Sequence, residues 1–230
     1  MIPIKDINPS RRTPVVTIAL IVICTAVFLY ELYLGAFNHI FVKMFGVIPY
    51  EISHGVDIPP PSPVAPYGNL ISHQYLHGGL FHILGNMLFL WVFGDNVEDR
   101  LGRFRFFLFY TICGIFAALL QVWVYPDSKI PLIGASGAIS GVLGAYMVFF
   151  PRAQIVTLIF IFFLIDIIVL PAALWISVWF LMQFVSALLS VNHLSMGGVA
   201  WFAHIGGFLA GVILAKFFAP KENEMGSYKV

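Results

Sequence analysis

The chain has 230 residues, of which 60% are hydrophobic and only 10% are charged. Water-soluble domains carry roughly 45–50% apolar and roughly 25% charged residues, so a soluble enzyme with one buried core is excluded. The formal net charge is only +1, and no basic cluster forms a nucleic-acid footprint; no nucleic-acid partner is expected. The apolar residues fall in blocks close to the roughly 20 that cross a bilayer as a helix. An all-α integral membrane protein is expected, a single helical bundle in contact with the lipid bilayer.

Residues 1–12 read as an N-terminal tail. The first apolar block, Thr13 to Leu34, follows Arg11 and Arg12. It is too long for a signal-peptide core and no small-residue cleavage site follows, so no cleavable signal is expected. Cys24 within it and Cys113 later both lie in apolar blocks, as packing thiols rather than a disulfide. A long outer connection, 35–78, holds Pro59, Pro60, Pro61, Pro63 and Pro66. Its length suggests more than a linker, and its proline run favours extended structure and excludes a central strand.

Further spans are expected at Gly79–Phe93, Phe104–Val124, a short Ala135–Phe150, Pro171–Leu189 and Ala200–Phe218, six in all, followed by a tail at 219–230. Between the fourth and fifth, Ile155 to Leu170 is bracketed by Pro151–Arg152 and Pro171 and interrupted by Asp166. It reads as an extended or interfacial stretch, the alternative being a seventh span. The positive-inside rule separates these. Six spans with the N-terminus inside place ten lysines and arginines in the cytoplasm (Lys5, Arg11, Arg12, Arg100, Arg103, Arg105, Arg152, Lys216, Lys221, Lys229) against Lys43 and Lys129 outside. Seven spans give seven against five. Six are expected, with both termini cytoplasmic, and a prokaryotic cytoplasmic membrane suits the chain.

Polar groups inside a bilayer are costly and mark function by default. His82 and Asn86 in span two, Ser136 at the start of span four and His204 early in span six stand out. Spans two, four and six run in the same direction, so all four residues share one depth near the outer surface. His82 and Asn86, four apart, lie on one helix face. Gly207 and Gly211 share a face with His204. Gly137, Gly141 and Gly144 form a small stripe on span four. Small stripes let helix backbones approach closely in lipid, so spans four and six are expected to touch. On an ideal helix Ser136 points about 100° from that stripe, so the turn containing Gly134 has to aim it.

A serine hydroxyl needs a base to take its proton, and a neutral imidazole is the usual one. Attack on a carbonyl makes an oxyanion that needs fixed donors. Free backbone N–H groups at the start of span four, with His82 and Asn86, could supply them. No acid stands at the same depth: Asp95 and Asp166 fall on the cytoplasmic side, Glu31 and Asp127 outside or at the edge. A Ser136–His204 dyad without metal or cofactor is expected.

These residues lie in strings that resemble the rhomboid intramembrane serine proteases. The strings are Leu76-His77-Gly78-Gly79-Leu80-Phe81-His82-Ile83-Leu84-Gly85-Asn86, then Phe93-Gly94, Val97-Glu98 and Leu101-Gly102. They continue with Gly134-Ala135-Ser136-Gly137, Pro171-Ala172 through Trp179 and Gln183, and Ala203-His204-Ile205-Gly206-Gly207 with Gly211. The resemblance covers about residues 70 to 218. It implies a six-helix rhomboid-like bundle, with Ser136 as nucleophile and His204 as general base. His82, Asn86 and the Ser136 N–H would form the oxyanion hole, and the substrates would be single-pass transmembrane proteins cut near the outer surface. Two features depart from the family: no Trp-Arg pair occurs in 35–78, and Ser140 stands where some members stack an aromatic ring on the histidine.

Other readings weigh less. A non-catalytic rhomboid-like protein that binds transmembrane helices would be expected to lack the serine or the histidine. A transporter or channel would need paired charges near the midplane. His73 and His77 read as interfacial, and His39, His54 and His193 as loop residues. Tyr67, Tyr75, Trp91, Trp175 and Trp201 read as an aromatic belt. Glu98, Asp99, Arg100, Arg103 and Arg105 read as a cytoplasmic charge cluster that forms an interfacial anchor, and Asp166 as an interfacial carboxylate facing water.

Overall fold

The computed structural model describes residues 1–161, 164–190 and 199–220. His193, Lys221, Lys229 and most of the 219–230 tail lie outside them. The first strand, β1 (Ile2–Asp6), precedes α1 (Val15–Leu34), which passes through a single 3-10 turn, Gly35–Phe37, into α2 (Asn38–Phe45). The outer connection continues as α3 (Pro49–His54), α4 (Ala65–Ser72) and a 3-10 turn, His73–Tyr75. Then come α5 (Leu80–Leu101), α6 (Arg103–Val124), α7 (Ser136–Phe149), strands β2 (Gln154–Ile161) and β3 (Leu164–Pro171), α8 (Ala172–Ser190) and α9 (Trp201–Phe218).

Among the described residues, five helical stretches are long and apolar enough to cross a membrane: Val15–Phe45, Leu80–Leu101, Arg103–Val124, Ala172–Ser190 and Trp201–Phe218. The protein is a multi-pass integral membrane protein. The fourth expected span, α7, has only 14 residues and is shorter than the other five. The second runs eight residues past Phe93, to Leu101.

Two expectations about the backbone are corrected. The chain is not all-α: β1, β2 and β3 form an antiparallel sheet in that order. Its central hairpin is rich in Ile and Val, whose β-branched side chains favour strands, and Pro151 and Pro171 bound it. Ile2–Asp6, read as tail, is an edge strand paired to Ile155–Leu158. The connection 35–78 carries α3 and α4 on either side of the proline run, and 59–63 lie in neither helix nor strand. Pro49 and Pro66 sit in the first turns of α3 and α4, where a missing N–H costs nothing.

The core is centred on α7, which packs against both α6 and α9, and these two also pack against each other. The glycine stripes face each other. A Cβ on Gly207 would collide with the carbonyl oxygen of Gly137, and one on Gly211 with that of Gly141. The same glycines also admit α6: a Cβ on Gly137 would meet Ala117 and one on Gly141 would meet Cys113. Cys24 and Cys113 are buried and free.

Glu98, read with the interfacial charge cluster, has a further role inside the protein. It is buried at 3% exposure and its carboxylate caps α1. Oε1 accepts the Val16 N–H at 3.0 Å, and Oε2 accepts the Thr17 N–H and hydroxyl, each at 2.8 Å. An anion there satisfies orphan amides and meets the positive end of the helix dipole. Glu98→Ala leaves these donors unpaired and is expected to cost about 3 kcal/mol. Glu98→Gln, which keeps an acceptor, should lose less; thermal unfolding in detergent measures both.

Asp6 ties the sheet to the bundle. Its carboxylate accepts the Tyr146 hydroxyl at 2.5 Å and the Asn96 amide at 2.8 Å. Burial, helped by neighbouring Asp95 and opposed by the Tyr146 bond, raises it to about 6. The folded state therefore binds this proton more tightly than the unfolded chain. The resulting stabilisation is full below about 4 and is lost as pH rises through about 6. The unfolding midpoint of the parent should fall across that window, and Asp6→Asn should flatten the fall.

Candidate active site

The serine is aimed by the turn before it. Gly134 has φ +121°, a region that disfavours side chains, and its N–H donates to the His73 carbonyl at 2.9 Å. Val47 and Leu132 exchange backbone hydrogen bonds, so the outer connection holds the strand-like approach to α7. Ser136 then occupies the first position of the helix, where backbone N–H groups lack intrahelical acceptors.

Ser136 Oγ and His204 Nε2 are 2.9 Å apart. The two residues are 68 apart in the chain, and the close α7–α9 contact brings them together. The other ring nitrogen of His204, Nδ1, is 2.7 Å from Oε1 of Gln183 on α8. Rings surround the imidazole: Trp201 lies edge-on with centroids 5.9 Å apart, and Trp179 is tilted at 6.3 Å. These take the place of an aromatic at Ser140, whose hydroxyl donates to the Ser136 carbonyl at 2.6 Å.

His82 lies on the other side of the turn. A Cβ on Gly134 would come within 2.7 Å of His82 Nε2 and 3.7 Å of Ser136 Oγ, so only glycine lets the imidazole approach. The Gly78 N–H donates to His82 Nδ1 at 3.3 Å, which leaves the proton on Nε2, on the Gly134 side. Asn86, one turn along α5, is buried, and its amide nitrogen has no hydrogen-bond partner among the described residues. Thus Ser136 and His204 are hydrogen-bonded, His82 flanks the serine turn, and Asn86 presents a free donor beneath His82.

Other singled-out residues lie around this site or away from it. His73 and His77 are buried within the protein, and burial pushes both down to about 4, so both are neutral at pH 7. His73 Nδ1 bonds the Asn69 carbonyl, and the His77 ring lies edge-on to His82. Glu31 is buried and accepts the His77 N–H at 3.0 Å. Trp175 is fully buried against Phe89 and Phe93, not part of a belt, whereas Trp91 and Tyr67 are exposed. Asp166 is exposed, as expected. The contact of Gln183 with His204 was not anticipated. Its sole sequence signal was its place in the Trp179–Gln183 string, one helical turn apart.

A family profile described as Rhomboid domain matches residues 66–221. Among known proteins, the chain is 31% identical over 149 residues to Rhomboid protein 1, mitochondrial, of Saccharomyces cerevisiae, covering 63% of this chain and 40% of that protein. It is 34% identical over 148 residues to RHOMBOID-like protein 4 of Arabidopsis thaliana, covering 63% and 32%. It is 40% identical over 78 residues to Rhomboid protease GluP of Bacillus subtilis, covering 34% and 15%. The chain thus spans well under half the length of each of these relatives. With the profile matching more than half of its residues and the membrane helices carrying the matched strings, the chain belongs to the rhomboid family.

Proposed function

We propose that the protein is an intramembrane serine endopeptidase that cleaves single-pass transmembrane proteins near the outer membrane surface. The 2.9 Å hydrogen bond between Ser136 Oγ and His204 Nε2 carries this reading, and the relative named Rhomboid protease GluP supports it.

In this mechanism His204 Nε2 takes the Ser136 proton as Oγ attacks the scissile carbonyl. The tetrahedral oxyanion is met by the Ser136 N–H, His82 Nε2–H and the Asn86 amide. His204 then gives its proton to the leaving amine, and water, activated in the same way, releases the acyl group. Gly134 and Gly137 shape the nucleophile turn, and Gly207 and Gly211 seat His204 against it. A substrate helix must unwind first, because its carbonyls are hydrogen-bonded.

The depth of the site follows from α7 as a sixth, short crossing. Fourteen residues extend about 21 Å, against about 30 Å of hydrocarbon. With its inner end at the cytoplasmic interface, α7 starts below the outer surface, and Ser136 lies in a depression that water enters from outside. Residues 13–218 then form one six-crossing membrane domain. Its flanking segments, 1–12 and 219–230, are cytoplasmic, in the inner membrane of a prokaryotic cell.

The test is cleavage of a single-pass substrate carrying helix-breaking residues near its outer end, by protein reconstituted in liposomes, with a serine-directed fluorophosphonate probe run in parallel. Cleavage and Ser136-dependent labelling are expected. A folded protein that binds the substrate helix but neither cleaves it nor takes the probe is a non-catalytic rhomboid relative.

A further inference from the structure

The imidazole of His204 has two nitrogens, and only one assignment of its proton permits the proposed chemistry. Nε2 must be a bare acceptor facing Ser136, so Nδ1 must carry the hydrogen. In a neutral imidazole both tautomers are available, and what the second nitrogen touches decides between them. In serine hydrolases with a triad, a carboxylate does this. Among the described residues here, the group hydrogen-bonded to Nδ1 is neutral. It is the side-chain oxygen of Gln183, at 2.7 Å, on a side chain only 8% exposed.

We infer that Gln183 is a positioning residue that fixes the His204 tautomer and ring orientation, so that the site is a Ser136–His204–Gln183 relay with an uncharged third member. This rests on the dyad reading and deepens it. Three observations support it. The amide oxygen is an acceptor, so Nδ1–H donates and Nε2 is left free. Trp179, four residues before Gln183 on the same face of α8, places its ring beside the same imidazole, so one helix sets both the tautomer and the plane. Gln183 is buried and His204 half-buried, and leaving the buried amide oxygen without its donor would be costly, so the bond is maintained. A neutral acceptor also differs from a carboxylate in its consequence. It orients the base without an added negative charge that would stabilise imidazolium.

The experiment compares the parent, Gln183→Leu, Gln183→Glu and Ser136→Ala as full chains in detergent. The rate of fluorophosphonate labelling is measured from pH 5 to 9, and 15N shifts of His204 report the tautomer in histidine-labelled protein. Gln183→Leu is expected to lower the labelling rate roughly 100-fold, less than the ~10⁴-fold linked to loss of a triad carboxylate, and to give a mixed tautomer. Gln183→Glu should retain most of the rate at pH 8. Its acid limb should move to higher pH, because the carboxylate stabilises protonated His204. A purely structural role would lower the unfolding midpoint and leave both the tautomer and the acid limb in place.

Two results overturn the inference: a folded Gln183→Leu protein with the parent's rate and tautomer, or a folded Gln183→Glu protein with an unmoved pH limb. Labelling of the parent that survives Ser136→Ala overturns the dyad instead. The 15N readout keeps the two failures apart, since it reports the Gln183 contact without turnover.

Discussion

Ser136→Ala and His204→Ala are each expected to lower substrate cleavage by about 10⁴-fold or more, and the double variant should be no worse than either alone. Residues that act as one unit are strongly non-additive. A serine without its base is a weak nucleophile, and a base without the serine has no proton to take. Their 2.9 Å contact makes them one unit. Ser136→Ala removes one hydroxyl at the partly exposed start of α7, so its unfolding midpoint should stay near the parent's, whereas His204→Ala also leaves the Gln183 oxygen unpaired and should lower it. The serine variant thus separates lost chemistry from lost fold. His82→Ala and Asn86→Ala should cost less, about 10²–10³-fold each, the range for one oxyanion donor. Cleavage is followed on gels and nucleophile activation by fluorophosphonate labelling. Proteolysis that persists in Ser136→Ala would sink the mechanism.

Gly211→Ala should damage both stability and activity without touching a reacting group. The added Cβ would overlap the Gly141 carbonyl oxygen, which belongs to the backbone of α7 and cannot rotate away. Relief requires α9 to move outward by about an ångström, at about 3 kcal/mol or more for overpacking against backbone. Gly207→Ala meets the Gly137 carbonyl in the same way. Since α7 carries Ser136 and α9 carries His204, the same displacement opens their hydrogen bond. Gly85→Ala is the control. Gly85 is an exposed helical residue of α5 with nothing within 4 Å of an added Cβ, and helix propensity favours alanine by roughly 1 kcal/mol. A lower midpoint and weaker labelling are expected for Gly211→Ala, and an equal or higher midpoint for Gly85→Ala. Equal midpoints for both would mean that α7 and α9 are not held at backbone contact.

Much of this is legible in the amino-acid sequence alone. The apolar blocks marked the long helices because about 20 apolar residues in a row have few other uses. The two glycine stripes showed which helices touch, because periodicity along one helix reports a face. Hydroxyl, imidazole and amide groups in apolar segments marked the site, because their burial is costly wherever they lie.

The features that are not legible in this way have a common cause. Glu98 is one acid in a charged string, and nothing local distinguishes it from Asp99. It becomes a helix cap because the start of α1, about 80 residues earlier in the chain, lies against it. Trp175 has the composition of a belt residue but is enclosed by Phe89 and Phe93 from another helix. Ile2–Asp6 looks like a tail until β2 provides a ladder.

Composition, periodicity and motif order, all properties of neighbouring residues, thus determine that the chain lies in the membrane, which helices meet and which side chains are candidates for the proposed chemistry. The three-dimensional arrangement sets the rest: the 2.9 Å from Ser136 to His204, the Gln183 oxygen at Nδ1, the cap on α1 and the pairing of the sheet. These are contacts between segments far apart in the chain, whose distances and directions depend on how whole helices and strands pack.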